Sequence, residues 1–335
     1  MILKLRHILE RDDCLRTRLE QRLYDNSQDN PDLRTNPVRS LDDLYKWLDS
    51  FLSSMPWEGL MKSNVSIFKR IDQATGYFYY LFQDIQYEPS IAAWIKNFNY
   101  AWGEFLDSPA SWNDEYYNML RSDPLFELDT DKYESPDNWH SFNDFFARRL
   151  NQKTTLPYTA EGITYPWYDI SGNTLDVKTA HIENITDLLG DSPYKHEFGN
   201  GIFTHITLDF YNYHRFHSPI TGNIVDIREF DGVLTEGGNI IWDAKEHRYR
   251  YEQIENIGYQ MLEKRVVIVI ESNHQSSLKN QKSELIAVIP VGVAQVGSIK
   301  LNDNIRIGAE LLQGQELGTF LCGGSEVIVM KTMIF

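Results

Sequence analysis

The chain has 335 residues, of which 42% are hydrophobic and 13% aromatic, which is enough apolar material for two cores and argues against large-scale disorder. Its formal net charge of −16 argues against nucleic acid and anionic membrane surfaces as partners. The charge favours a small soluble partner, and plain solubility is the ordinary alternative. No apolar run approaches the roughly 18 residues that a membrane span needs, so a cytoplasmic location is expected.

The first part of the chain, residues 1 to about 135, has the periodicity of helices. Ser40 followed by Asp43 is typical of a helix start, and a second helix is predicted to begin at Pro89. Between these helices lies an aromatic-rich stretch, residues 77–82, which we predict to be buried helix rather than strand. Core packing is the ordinary role of such a stretch, and lining a substrate pocket is the alternative.

An acidic, proline-containing stretch at residues 124–136 marks the expected domain boundary, which divides the chain into 1–135 and 136–335. The second part begins with a predicted helix at residues 141–150. Alternating or continuous apolar runs then predict strands at residues 201–208, 265–270, 285–293 and 327–330. The expected fold class is therefore α+β, a helical N-terminal region followed by a β-rich, barrel- or sandwich-like domain.

Near the C-terminus, Gly323, Gly324 and Ser325 form a corner between two predicted strands. Glycine allows backbone conformations that are closed to other residues, so such a corner can strain a peptide bond. The Ser325 hydroxyl could then attack the Gly324 carbonyl and convert the amide into an ester, which elimination and hydrolysis would open to leave a pyruvoyl group. The alternative is a hairpin turn, which is the commoner use of Gly-Gly-Ser.

The densest polar cluster lies at residues 211–219, where His214, Arg215 and His217 stand among aromatic residues just after a predicted strand. Two histidines three residues apart suggest zinc, but no third ligand follows at ordinary spacing in what reads as a loop. The chain also has only two cysteines, which are far apart. Acid–base chemistry is therefore favoured and no metal is predicted, while a structural role is the alternative for either histidine alone.

The run Tyr213-His214-Arg215-Phe216-His217-Ser218-Pro219 resembles the Tyr-His-Arg-x-His-x-Pro signature of the phosphatidylserine decarboxylase family. Four further stretches resemble the family in the same order, at residues 142–148, 198–201, 291–299 and 314–325. The resemblance covers residues 138–335. The helical N-terminal region is similar to that of a soluble branch of the family, which includes fungal L-tryptophan decarboxylases.

The resemblance implies a carboxy-lyase that cuts itself between Gly324 and Ser325, and whose only cofactor is the pyruvoyl group made from Ser325. The pyruvoyl carbonyl would form a Schiff base with a substrate amine. This Schiff base would accept electrons as carbon dioxide leaves. His217 would be the base that activates Ser325, and His214 would position the substrate carboxylate or handle a proton in decarboxylation.

The resemblance implies that an acid orients His217. The family commonly carries this acid in the run Pro-Ala-Asp-Gly, and this sequence departs from that run. Asp169 is the expected acid when residues are counted from Leu150, and Glu161 is the alternative when they are counted back from Leu188. A turn residue is the other interpretation of Asp169.

Aromatic residues near these positions suggest a slot for a free aromatic amino acid, although all of them could be core. They are Trp167, Tyr168, Tyr213 and Phe216. The expected substrate is therefore a free L-amino acid resembling tryptophan, with phosphatidylserine, which would yield phosphatidylethanolamine, as the alternative. An inactive family member acting as a binding module is a second alternative. A homodimer and peripheral membrane contact are left open.

Overall fold

The N-terminal part of the chain is helical, as its periodicity predicts. The helices are α1 (Ile2–Arg11), α2 (Asp13–Asp29), α3 (Leu41–Phe51), α4 (Ile71–Phe82), α5 (Pro89–Leu106), α6 (Asp114–Arg121), α7 (Phe142–Phe146) and α8 (Tyr259–Leu262). Ser40 caps α3, because its hydroxyl accepts the Asp43 N–H at 3.2 Å and donates to the Asp43 carboxylate at 2.8 Å. Residues 77–82 lie in α4 and are at most 2% exposed, which confirms the buried helix.

The computed structural model describes residues 1–56, 66–151, 159–177, 180–234, 239–252, 259–273, 283–293, 298–322 and 324–333. None of the helices in these ranges is both long and apolar enough to cross a membrane. The cytoplasmic location stays a prediction.

The strands lie mostly in the second half of the chain. They are β1 (Ile163–Thr164), β2 (Tyr168–Ser171), β3 (Thr174–Val177), β4 (Ala180–Ile182), β5 (Gly201–Leu208), β6 (Arg215–His217), β7 (Gly222–Phe230), β8 (Asn239–Asp243), β9 (Arg248–Glu252), β10 (Arg265–Ser272), β11 (Leu285–Val293), β12 (Ile299–Leu301), β13 (Glu310–Leu311), β14 (Glu316–Phe320) and β15 (Gly324–Thr332). All four predicted strands are therefore present.

The described strands pair antiparallel and form three sheets. Ten strands make the largest, in the order β13-β7-β10-β11-β15-β5-β2-β3-β4, with β1 also paired to β5; a second sheet has the order β12-β14-β6, and β8 pairs with β9. The barrel-like closure suggested by the sequence is wrong for the described residues. The edge strands β13 and β4 are short, and each pairs on one side, so the ten-stranded sheet stays open.

The centre of the ten-stranded sheet is buried on both faces, as its continuous apolar runs predict. On one face, Val267 and Val269 of β10, Ile289 of β11, and Ile328 and Met330 of β15 belong to one hydrophobic core cluster. Since side chains alternate along a strand, the odd-numbered residues of β15 point to the other face. Ser325 is the first odd-numbered residue of β15, so its side chain faces away from this cluster.

Two compact units divide the chain, and each is discontinuous in sequence. The first comprises Met1–Thr130, Ser135–Phe145 and Val233–Ile254, and the second comprises Asp131–Glu134, Phe146–Gly232 and Glu255–Phe335. This division departs from the single boundary expected at residue 135. The β8–β9 hairpin belongs to the first unit because Tyr249 packs against Tyr77 and Tyr80 of α4, at ring centroid distances of 5.2 and 5.0 Å.

The helix predicted for residues 141–150 is shorter than expected, because α7 ends at Phe146. The residues that follow pair with residues 132–134 instead. The Asn151 N–H donates to the Lys132 carbonyl at 2.8 Å, and the Glu134 N–H donates to the Arg149 carbonyl at 2.9 Å. These hydrogen bonds hold the backbone extended where helical periodicity alone would continue the helix.

The Gly-Gly-Ser corner is not a hairpin turn, because the strands on its two sides do not pair with each other. β14 pairs with β12 and β6 in the three-stranded sheet, whereas β15 pairs with β11 and β5 in the ten-stranded sheet. The corner is therefore a crossover between two sheets. Gly323 lies outside the described residues, and Ser325 lies within β15.

Candidate active site

The histidine cluster includes a short strand, β6, where the sequence suggested a loop. His217 lies in this strand, and His214 directly precedes it. β6 pairs with β14, and this register places His217 opposite Glu316. Next to β6, the carbonyl of His214 accepts the Phe320 N–H at 2.9 Å. Because β14 leads directly into the crossover, the three-stranded sheet holds both histidines beside the segment that ends at Ser325.

His217 is 2% exposed, and both of its ring nitrogens are hydrogen-bonded. Nδ1 lies 3.0 Å from the Gly314 carbonyl oxygen, and it must donate, since a carbonyl can only accept. Nε2 lies 3.1 Å from the Tyr213 hydroxyl and accepts from it. Burial lowers the pKa of His217, although the Gly314 carbonyl and the Glu316 charge act in the opposite direction. The ring is therefore neutral at pH 7, with its basic nitrogen turned towards Tyr213.

His214 is fully buried, and its ring stacks on Phe146 with centroids 3.8 Å apart. Neither ring nitrogen makes a hydrogen bond of ordinary geometry to any described residue. Burial and then the positive charge of Arg148 lower the pKa of His214 well below its usual value. A neutral imidazole can pass a proton, but it offers no fixed positive charge to a carboxylate.

Arg148 fixes the turn that carries His214. Its buried guanidinium donates to the carbonyl oxygens of Tyr211 at 2.5 Å and Asn212 at 3.0 Å. The same group lies over the ring of Tyr133, 4.4 Å from the ring centroid. Arg148 belongs to residues 142–148, one of the stretches that resemble the family. In the structure its charged group contacts two backbone carbonyls and one aromatic ring.

Ser325 is 2% exposed, and its hydroxyl has no hydrogen-bond partner among the described residues. Its neighbours in register are Gly292 on β11 and Leu208 on β5. Directly opposed residues of an antiparallel pair place their side chains side by side, and Gly292 presents no side chain to the Ser325 hydroxyl. A buried polar group without a partner costs about 1–3 kcal/mol, which is typical of a functional position.

Neither carboxylate proposed to orient His217 is hydrogen-bonded to it. Asp169 is exposed on β2. Glu161 pairs with Lys132 at 2.9 Å and accepts from the Asn212 amide at 3.5 Å, which places it near the histidine turn. Their role as the orienting acid stays a prediction.

Glu316 is the acid that the register brings opposite His217, and the sequence did not single it out. Its carboxylate accepts from Arg215 at 2.6 Å and from the Asn302 amide at 3.0 Å. Glu316 lies within residues 314–325, which resemble the family, but nothing in that stretch predicts the pairing of β14 with β6.

The four aromatic residues expected to bind substrate do not share one environment. Trp167 is 44% exposed, Tyr168 is partly buried against the core cluster, and Phe216 is buried with its ring centroid 5.3 Å from that of Phe320. Tyr213 is the one that contacts a predicted catalytic residue, His217. Their common role in substrate binding stays a prediction, and their placement among the described residues gives it little support.

No group of three His, Cys, Asp or Glu side chains in the described ranges lies close enough to hold a metal ion. Cys322 is buried just before the crossover, and burial raises the pKa of its thiol well above the usual range. The thiol is therefore protonated at pH 7, which makes it a poor nucleophile beside Ser325.

The sequence profile of the family described as phosphatidylserine decarboxylase matches residues 142–332, which is more than half of the chain. The chain therefore belongs to the phosphatidylserine decarboxylase family. The match includes β6, β14 and all nine residues of β15, so it covers both histidines and Ser325.

Three curated relatives are phosphatidylserine decarboxylase proenzymes. The chain is 25% identical over 247 residues to proenzyme 2 of Oryza sativa subsp. japonica, a match that covers 70% of this chain and 36% of that protein. It is 25% identical over 215 residues to the proenzyme of Fusobacterium nucleatum, with 61% and 64% covered. It is 26% identical over 205 residues to that of Chlamydia trachomatis, with 58% and 60% covered. The chain thus matches about a third to two thirds of the length of these relatives.

Proposed function

We propose that the chain is a self-processing, pyruvoyl-dependent decarboxylase that acts on phosphatidylserine. The observation that carries the proposal is the buried Ser325 hydroxyl, which has no partner among the described residues, belongs to the residue directly after Gly324 and lies opposite Gly292 of β11. Membership of the family supports the reaction class, and the description of the relatives as proenzymes agrees with self-cleavage.

The first reaction takes place within the chain. The Ser325 hydroxyl gives up its proton and attacks the carbonyl carbon of Gly324, and the amide nitrogen takes up a proton as the C–N bond breaks. The resulting ester undergoes elimination, in which a base takes the Cα proton of residue 325 and the Gly324 carboxylate leaves, so that a dehydroalanine remains at position 325. Hydrolysis of that residue releases ammonia and leaves a pyruvoyl group. Ser325 fits this group because a serine directly after Gly324 supplies both the hydroxyl for the attack and the three carbons of a pyruvoyl group.

His217 is the proposed base for the first step. Its neutral ring holds the proton on Nδ1 and presents Nε2 as the basic nitrogen. Since Nε2 accepts from Tyr213, the Ser325 proton reaches His217 either through the Tyr213 hydroxyl or after that hydroxyl turns away. The Gly314 carbonyl orients the ring in the way that a carboxylate does in Ser-His-Asp triads.

A pyruvoyl group at position 325 would supply the electron-accepting carbonyl that the decarboxylation of an amine substrate needs. His214 returns a proton to the carbon that loses carbon dioxide. Its burial and neutral ring suit this role better than binding the substrate carboxylate. Arg148 holds the turn on which His214 is carried.

Phosphatidylserine takes the place of the free aromatic amino acid that the sequence favoured. The relatives named above are phosphatidylserine decarboxylase proenzymes, and none of the three is described as an amino acid decarboxylase. The aromatic slot also lacks support, because Trp167 is 44% exposed while Tyr168 packs on the core. The resemblance to tryptophan decarboxylases, the homodimer and peripheral membrane contact stay predictions.

Mass spectrometry of the purified chain tests the processing step. The wild type should give one fragment that ends at Gly324 and a second that comprises residues 325–335 and is lighter than its encoded mass by one ammonia. Ser325→Ala should stay whole, because no hydroxyl remains to attack. A wild-type chain that also stays whole would contradict the proposal.

Release of carbon dioxide by the processed chain tests the substrate. Phosphatidylserine in neutral detergent micelles should be turned over, whereas free tryptophan, tyrosine, phenylalanine and serine should not. Turnover of a free amino acid without turnover of the lipid would reverse the assignment. A cleaved chain that decarboxylates none of these compounds would favour the binding-module alternative.

A further inference from the structure

The residue that follows Ser325 is a buried acid. Glu326 is 2% exposed, and strand alternation turns it to the face of β15 opposite Ser325. Removing a carboxylate from water costs several kcal/mol unless hydrogen bonds replace the lost hydration. The buried position of Glu326 therefore depends on the groups that face it.

Glu326 is held by side chains from two separate elements. His205 of β5 forms a hydrogen bond through Nδ1 to one carboxylate oxygen, and Gln260 of α8 donates to the other at 3.4 Å. His205 is supported in turn by Tyr165, whose ring stacks on the imidazole with centroids 4.0 Å apart and an interplanar angle of 16°. The Tyr165 N–H also donates to the His205 carbonyl at 3.0 Å.

Self-cleavage would change the position of Glu326 in the chain. Before cleavage, residue 325 is held from both sides by peptide bonds. After cleavage it would be the first residue of a new chain, and chain ends fray unless side chains hold them. Glu326 carries the first side chain beyond the new end, and in this structure it is bonded to β5 and α8.

We propose that Glu326, His205 and Gln260 form an anchor for the chain end that self-cleavage creates. Glu326 is then a positioning residue: it holds residue 325 against the substrate without touching the substrate itself. The inference rests on the proposed function, because it requires cleavage at Gly324. The anchor should matter little for the cleavage itself, since the intact chain restrains Ser325 without it.

Glu326→Gln tests the anchor, because it keeps the side-chain volume and removes the charge. We expect complete cleavage by mass spectrometry, followed by a kcat that is about 10- to 100-fold lower with KM little changed, since misplacing a reacting group by about 1 Å costs that much. The amides of the new chain, from residue 326 onward, should also exchange hydrogen faster than in the wild type. The exchange measurement needs no substrate.

A second variant, His205→Phe, keeps the ring that stacks on Tyr165 and removes the hydrogen bond to Glu326. It should have the same two effects, and the double variant should lose less kcat than the product of the single losses, because both changes remove one interaction. Lys331→Gln is the matched control. It removes the 2.5 Å ion pair with Glu284 at the far end of β15 and should leave kcat and exchange near the new end unchanged.

Three results would overturn the anchor. One is a cleaved Glu326→Gln protein with wild-type kcat and exchange. Another is failure of Glu326→Gln and His205→Phe to cleave while the wild type cleaves, which would assign the pair to the first reaction instead. The third is an equal loss of kcat in Lys331→Gln, which would show a general effect of strand stability. A wild-type chain that never cleaves would contradict the proposed function itself, and the anchor with it.

Discussion

His217 and His214 lie three residues apart, and their surroundings suit them to different steps. The ring of His217 is held at both nitrogens, by Gly314 and Tyr213, so that its proton position is defined before any reaction. The ring of His214 stacks on Phe146 and makes no ordinary hydrogen bond to a described residue. A base that acts on the chain needs a fixed geometry, whereas a group that serves an incoming substrate gains its partner only when the substrate binds.

Because the two histidines are proposed for different steps, replacing each of them should impair a different step. His217→Ala should slow self-cleavage by about 100-fold or more, which is the ordinary contribution of a general base. His214→Ala should cleave at nearly the wild-type rate and then decarboxylate poorly. Time courses of fragment formation by mass spectrometry, followed by carbon dioxide release from the cleaved protein, measure the two steps. Normal cleavage by His217→Ala would show that another group is the base.

At the scale of elements, the sequence predicted β14 and β15 but not the sheets to which they belong. The β-branched and aromatic residues on each side of the glycines indicate two strands, and this pattern is local. The pairing of Ser325 with Gly292, or of His217 with Glu316, joins residues far apart in sequence and depends on the whole sheet. Local sequence features therefore singled out Ser325 and the two histidines, whose roles stay predictions, and did not single out Glu316.

The identity of the acid that orients His217 stays a prediction. Spacing along the chain selected Asp169 and Glu161, but spacing carries no information about which strand lies beside β6. In the structure the His217 nitrogens are bonded to a backbone carbonyl and a tyrosine, and neither partner can be recognised from residue type. The helix predicted at 141–150 likewise ends at Phe146, because a tertiary pairing competes with helical periodicity.

Gly318 should be essential to the three-stranded sheet. A Cβ atom at this position would lie 2.4 Å from the Lys300 carbonyl oxygen and 2.8 Å from the Phe216 ring. Gly318→Ala should therefore lower the free energy of unfolding by about 1–3 kcal/mol, as overpacking does. It should also slow self-cleavage, because β14 carries the register that places His217. Thermal unfolding and the fragment time course measure the two effects.

Gly103→Ala is the matched control for this change. Gly103 lies in α5 with nothing within 4 Å of a Cβ atom, so alanine should raise helix stability by about 0.5–1 kcal/mol without affecting cleavage. If Gly318→Ala unfolds and cleaves as the wild type does, the close approach of β14 to β12 does not constrain the site.

At the scale of the whole molecule, cleavage would turn one chain into two that remain paired. Residues 324–332 form β15, which lies inside the ten-stranded sheet between β11 and β5. It pairs at eight positions with each neighbour, and Val327, Ile328 and Val329 are fully buried. Hydrogen bonds and apolar burial on both faces should retain the new chain without a covalent link.

Unfolding should then depend on protein concentration, because the cleaved protein unfolds into two separate chains whereas an uncleaved chain unfolds into one. A tenfold higher concentration favours the paired state by about 1.4 kcal/mol, which should raise the Tm of the cleaved wild type by roughly 2 °C. Ser325→Ala, which stays whole, should show the same Tm at both concentrations. Calorimetry at two concentrations distinguishes the cases, and a concentration-independent Tm for fully cleaved protein would mean that residues 325–335 contribute nothing to the stability of the sheet.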